Sequence, residues 1–452
     1  MPELSPRAVD ALLALALVLW PLLCGLVVLR GFRPWRVILA MLRRAAGTAA
    51  LFVGLIAVSL ALGLVLTAQE RALRQATARA ADPFDVVVAA PGSEVTAMLA
   101  AIYLQPADIP LLTGAQMAEI AATPGVRFAA PIGFGDSVEG APIIGTTAEL
   151  VAHLAGPLAE GRGFERPGEA VAGALTRFSV GSELEPAHGV GAAADDHAHA
   201  DERLVVVGRL ARTGGPWDHA LITPIETLWH IHGLPDGHAP ETDHDPAHES
   251  GDHAESDEHG GHEHDDHAAG PRLGPPWDPT LFPGVPAVVV DTDELAAAYA
   301  VRSALNRPDL MAFFPGAVLS QLHGLLGDVR AALSVMALAS QVLVTIAVLA
   351  GLSLVMALFS RQFQLLAAMG APTRFVMAVS WGFSGVLILA GTALGAALAV
   401  AGMSAASRIM TGRMGIDIHA ALGWPELHMA AAFVALMMTA ALLSAGWQVL
   451  RN

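Results

Sequence analysis

The sequence predicts an α-helical membrane protein carrying an α+β domain outside the membrane. Three observations carry that reading. Of the 452 residues, 54% are hydrophobic, and the mean hydropathy of +0.52 is high for a soluble chain of this length. The apolar residues gather in runs long enough to span a bilayer, which takes about 20 residues. The formal net charge of -17 is unevenly spread, with acidic residues crowded into the middle of the chain and Arg beside the apolar runs.

Taken in order, the runs are Ala11–Leu29, Ala45–Ala68, Ala331–Phe359, Phe375–Met403 and Met429–Leu450. The first also has the short apolar core of a signal peptide, but no small-x-small cleavage site precedes the Arg residues after it, which favours a retained span. Arg30, Arg33, Arg36, Arg43 and Arg44 follow it, Arg361 and Arg374 bracket the turn after the third run, and Arg451 follows the last. Five alternating helices put all of these on one face, and an Arg-rich face is cytosolic. The expected plan is an N-terminal span (1–30), a cytosolic Arg-rich amphipathic segment (31–44) and a second span (45–68). An outer domain (69–327) follows, then a stalk and span (328–359), a cytosolic helix (360–374), a span (375–403), an outer loop (404–428) and a last span (429–450). Gly391, Gly395 and Ala399 form a small-residue stripe on the fourth span, which lets helix backbones approach closely.

In the outer domain, Phe84–Val88, Leu204–Val207 and Ala287–Val290 read as strands, and Thr113–Ala122 and Thr292–Ala304 as helices. An insertion, 236–270, contains the stretch "PETDHDPAHESGDHAESDEHGGHEHDDHAAG" and has the composition of a disordered segment. Ten His fall between His230 and His267: His230, His232, His238, His244, His248, His253, His259, His262, His264 and His267, with His197 and His199 earlier. Neutral imidazole beside carboxylates suits Zn2+ or another transition metal. The irregular spacing predicts several weak sites, with binding that weakens below about pH 6 as the imidazoles protonate. His153, His188, His323 and His419 stand alone and read as structural.

The single Cys, Cys24, lies in the first run, so an intrachain disulfide is excluded; it reads as a small apolar filler. All 25 basic residues are Arg. Without Lys the chain has no Walker A loop, so it supplies no ATP site of that type. No G-x-S-x-G or HExxH pattern points to a hydrolase, and no Asp, Glu or His falls within the five runs to mark an ion path. Gln341 is the strongly polar residue deep in the third run.

Between the third and fourth runs, Leu365, Leu366 and Met369 share one side of a short helix, which Gly370 ends and Pro372 follows. By pattern alone this is a juxtamembrane helix or a docking helix. Asp85–Tyr103 ("DVVVAAPGSEVTAMLAAIY"), Leu204–His232 ("LVVVGRLARTGGPWDHALITPIETLWHIH"), Gly284–Gly327 and Arg361–Ala371 ("RQFQLLAAMGA") resemble, in order, segments of MacB/FtsX/LolC-like ABC transporter permeases. The resemblance implies four spans, to which Ala11–Leu29 is an addition, and a bacterial inner-membrane location with the large domain in the periplasm. It also implies a homodimer and a coupling helix (Arg361, Gln362, Leu365, Leu366, Met369, Gly370, Ala371) docked on a separate ATP-binding subunit, through which alone ATP enters. Gln362 replaces a Glu common in the family and Ala367 an Arg. Three functions fit: a permease whose outer domain moves as a partner hydrolyses ATP, a regulator of a periplasmic protein or lipoprotein, or a metal permease with the His-rich loop as collector. Membrane lipid is an expected partner and nucleic acid is not.

Overall fold

The computed structural model describes residues 5–188, 203–239 and 272–451, apart from some side chains in its later helices. The predicted metal-ligating His197, His199, His244, His248, His253, His259, His262, His264 and His267 lie outside the described residues. The chain divides into two units. One holds residues 1–76, 324–413 and 418–452; the other holds residues 77–323 and 414–417.

The first unit is helical. Its elements are α1 (Pro6–Leu29), α2 (Trp35–Arg44), most of α3 (Ala46–Ala81) and, later in the chain, four more helices. Among the described residues, four helices are long and apolar enough to cross a membrane: Pro6–Leu29, Ala46–Ala81, Thr373–Gly412 and Trp424–Trp447. The chain is by this measure a multi-pass membrane protein. The third predicted run lies on a 44-residue helix, Pro315–Leu358, with its apolar stretch Gln341–Gly351.

The helices outrun the apolar runs that announced them. α3 continues 13 residues past Ala68, through "QERALRQATARAA". The last helix starts at Trp424, before Met429, and takes in Glu426 and His428. Ala, Arg and Gln are good helix formers, so a helix continues where an apolar run stops.

The small-residue stripe has a physical role. A Cβ on Gly391 would sit 2.7 Å from Cβ of Ile56, and one on Gly395 would sit 2.8 Å from the carbonyl oxygen of Ala57. The helix Thr373–Met414 therefore meets α3 backbone to backbone. Ile38, Ile56, Leu60, Leu64, Phe383 and Met437 fill the core around this contact. Gln341 is accommodated by Ser59, whose hydroxyl donates to Oε1 at 2.9 Å. Glu426, 1% exposed, pairs with Arg71 at 3.0 Å. α1 is peripheral, with no buried residue. Trp20 Nε1 donates to Thr439 Oγ1 at 2.8 Å, and His428 Nε2 lies 2.8 Å from the carbonyl of Asp10. Cys24 is free and half-buried, packed against the helical core as a filler would be.

The second unit is a mixed sheet with helices. Its elements in chain order are β1 (Val86–Ala89), α4 (Glu94–Ala101), α5 (Gly114–Ala122), β2 (Val126–Val138), β3 (Ala141–Thr146), α6 (Ala148–Ala155), β4 (Glu160–Gly161), β5 (Glu169–Ala172), β6 (Glu183–Leu184), β7 (Ala187–His188), β8 (Leu204–Arg209), β9 (Leu221–Pro224), α7 (Ile225–Ile231), β10 (Ala287–Thr292), α8 (Leu295–Leu305) and β11 (Met311–Phe313). The remaining helices of the helical unit are α9 (Pro315–Leu358), α10 (Ser360–Ala368), α11 (Thr373–Met414) and α12 (Trp424–Arg451).

Among the described residues the strands run β11-β1-β10-β2-β3-β9-β5-β8-β4, with β6 beside β8 and β7 beside β2. β3 with β9 and β5 with β8 are parallel; the other pairs are antiparallel. β1 and β10 are buried along their whole length, which explains their unbroken apolar runs. α5 opens on a capping box, with Thr113 and Gln116 each satisfying the other's backbone.

Candidate functional site

Two regions hold the predicted site residues. In the helical unit, α10 is a nine-residue turn helix. It stops where the sequence says it should. Gly370 takes φ +87°, which a side chain disfavours, and the amide of Ala371 donates back to the carbonyl of Leu366 at 2.9 Å. Phe363 is buried in the helical core and Leu366 is half-buried against it. The opposite side is open: Leu365 is 64% exposed and Met369 76%, whereas Leu366, which the sequence pattern groups with them, instead turns to the core with Phe363. Arg361 and Gln362 are exposed beside them, as is Gly370, with Ala371 half-buried. α10 is thus anchored by one side and presents two bare apolar side chains beside polar ones on the other.

In the sheet unit, the His-rich insertion leaves and rejoins a built platform. Gly133 and Gly145 face each other across β2 and β3. A Cβ on Gly133 would lie 2.6 Å from Ile225 Cδ1 and from Leu228 Cδ2, and one on Gly145 only 2.9 Å from Ile225 Cδ1. The glycine pair therefore lets α7 settle onto the sheet. α7 in turn buries Glu226, 3% exposed. One oxygen of Glu226 accepts from the Gly274 amide at 2.8 Å and from Trp277 Nε1 at 2.7 Å. His238 Nε2 lies 3.7 Å from that oxygen, buried and with no hydrogen-bond partner of its own. The amide of Asp278 donates to the carbonyl of Gly237 at 2.8 Å, which joins the two stems directly. Trp229, Trp277 and Phe282 pack edge to face around the join. Burial pushes the Glu226 carboxyl above its usual range, against the pull of its hydrogen bonds.

The predicted metal ligands are only partly gathered here. His230 is exposed on α7. His232 lies one residue beyond α7 and pairs with buried Asp136 at 3.1 Å; the hydrogen bond to Asp136 raises the imidazole's pKa. Among the described residues, no group of three His, Cys, Asp or Glu side chains is placed to hold a metal. His153 is structural, with Nε2 2.8 Å from the carbonyl of Pro83 and 3.7 Å from Asp291.

Sequence reasoning missed Glu226, whose partners lie 48 and 51 residues away. It also missed what "TGGPWD" does. Asp218 is fully buried and accepts from the amide and hydroxyl of Thr213 and from the amide of Gly214, each at 2.8 Å. This carboxylate closes the turn that carries buried Trp217. An Asp five residues after the Thr of a Thr-Gly pair is the signal that could have found it.

By fold, then, the chain is a multi-pass membrane protein with one mixed α+β domain. No family model matches it, and no curated protein matches its sequence. Solved structures similar to about half of it include the following two. The periplasmic region of MacB from Actinobacillus actinomycetemcomitans is 8% identical, with a TM-score of 0.29, covering 54% of this chain and 95% of that one. The extracellular domain of the noncanonic ABC-type transporter YknZ from Gram-positive bacteria is 10% identical, with a TM-score of 0.27, covering 50% and 98%.

Proposed function

We propose that this chain is the membrane-spanning permease subunit of a MacB/FtsX-like ABC system. It works as a homodimer in the bacterial inner membrane, and a separate ATP-binding subunit drives motion of its periplasmic domain. The observation that supports this best is α10: Phe363 anchors it while Leu365 and Met369 stand bare. Burying two such side chains on a partner contributes about 1.5–3 kcal/mol each. ATP hydrolysis by the protein purified from its native membrane tests the reading, since the chain has no Walker A loop of its own. The wild type should carry the activity, and L365E/M369E should lose it at least about tenfold. A folded double variant with undiminished hydrolysis would overturn the docking role.

A second reading has its own support. The His-rich insertion captures zinc or a similar metal outside the membrane, and the system serves a periplasmic protein or lipoprotein linked to metal supply. Ten His within 38 residues and the fixed stems at Glu226 favour it. Zinc titration of the intact protein should show several sites at about pH 7.5, few at about pH 5.5, and a large loss on deletion of Pro240–Gly270. Equal uptake at both pH values would sink it.

A further inference from the structure

The geometry points to a binding site for one anionic phospholipid in a groove between α1, α11 and α12, with its acyl chains along the groove and its phosphate at Arg30. The inference stands on the helical unit alone and is independent of ATP hydrolysis and of metal.

The groove encloses about 970 Å³, the upper end of the range for ligand pockets. Its lining is apolar apart from Arg30 at one end and Thr392 on α11, with Trp35 beside Arg30. Gly25, Gly382 and Gly385 contribute to the walls. The walls also include Leu22, 62% exposed, and Leu389, 54% exposed, so the groove opens sideways, toward lipid in a membrane. From Arg30 to Leu17 the lining follows 13 residues of α1, about 20 Å. That is somewhat more than half of a hydrocarbon core of about 30 Å, the reach of an acyl chain in one leaflet.

Charge selects the occupant and excludes a second copy of the chain from the Arg30 end. Phe32 and Phe375 are in contact there, ring centroids 5.8 Å apart, so the α1–α2 turn lies beside the start of α11. Arg30 and Arg33 lie in the α1–α2 turn, Arg36 at the start of α2, Arg361 on α10 and Arg374 at the start of α11, and no Asp or Glu occurs between Asp10 and Glu70 or between Asp328 and Asp417. Another copy would bring Arg to Arg, whereas a lipid phosphate is the anion this end lacks. Trp35, 56% exposed, suits the headgroup level.

The test is native mass spectrometry of the intact, detergent-solubilised protein, titrated with dioleoylphosphatidylglycerol and with dioleoylphosphatidylcholine. The wild type should hold the anionic lipid about fivefold more tightly, the scale of one Arg at a lipid surface. R30Q should remove that preference while the protein unfolds at the same temperature. A431F, which fills the groove from the α12 wall, should weaken both lipids about tenfold. Equal retention of the two lipids by the wild type would overturn the proposal. So would a groove-filled variant that binds lipid normally, or one that turns a dimer into a monomer with lipid binding intact; the latter would assign the groove to a second copy. Arg30 is exposed, so R30Q alone decides the matter if A431F does not fold.

Discussion

In the helical unit, Gly391 and Gly395 let α11 meet α3 closely, and Gln341 and Glu426 are paired with Ser59 and Arg71. In the sheet unit, buried carboxylates do the joining: Asp218 closes a turn and Glu226 ties two stems together. The contrast follows from solvent. Apolar helices in lipid gain nothing by hiding apolar surface from each other, so close packing must hold them. A domain in water has hydrophobic burial to hold its sheet and can use buried acceptors to fix irregular backbone. The teaching is that the same loss of space or charge should be felt differently in the two units.

The largest expected effect is steric. G395V should destabilise the helical unit by about 3 kcal/mol, read as the unfolding temperature of the detergent-solubilised protein, because its Cβ would meet backbone of α3. G54A, a site on α3 with nothing within 4 Å, should be neutral. Equal behaviour of the two would break the comparison. Next comes D218A, which strands the part-buried amides of Thr213 and Gly214 and should cost the sheet unit about 1–3 kcal/mol, with D218N milder. The smallest effect is pH-dependent. Glu169 accepts from Arg162, which holds its carboxyl down at about 2. A depressed folded pKa gives stability that is present above the ordinary Glu value and lost as pH falls from about 4.5 toward 2. Arg162 is nearly half exposed, so the gain is modest; R162A should flatten the acid limb of an unfolding-versus-pH profile slightly.

What could be read from sequence follows the same division. The apolar runs gave the helices, Gly370 and Pro372 gave the end of α10, and β1, β8 and β10 lie where β-branched residues cluster. All of these are local signals. Helix extents were misjudged because an apolar run ends where lipid ends, while "QERALRQATARAA" continues the helix on propensity. The Gly391–Gly395 stripe was visible, but its partner on α3 was not, since contact partners far apart in sequence leave no periodicity. Glu226 looked like any acidic residue beside a His-rich stretch; only the fold brings Gly274 and Trp277 to it. The groove at Arg30 was equally invisible, being a gap between three helices rather than a pattern within one.

The peripheral placing of α1 has a consequence in time. Its anchors, Trp20 to Thr439 and Asp10 to His428, join residues 419 and 418 positions apart. At about 5–20 residues per second, a ribosome needs about 20–80 s to make that length of chain. For that interval α1 sits in the bilayer before its partner helix has been synthesised. A segment that buries no residue even in the finished protein is suited to such a wait.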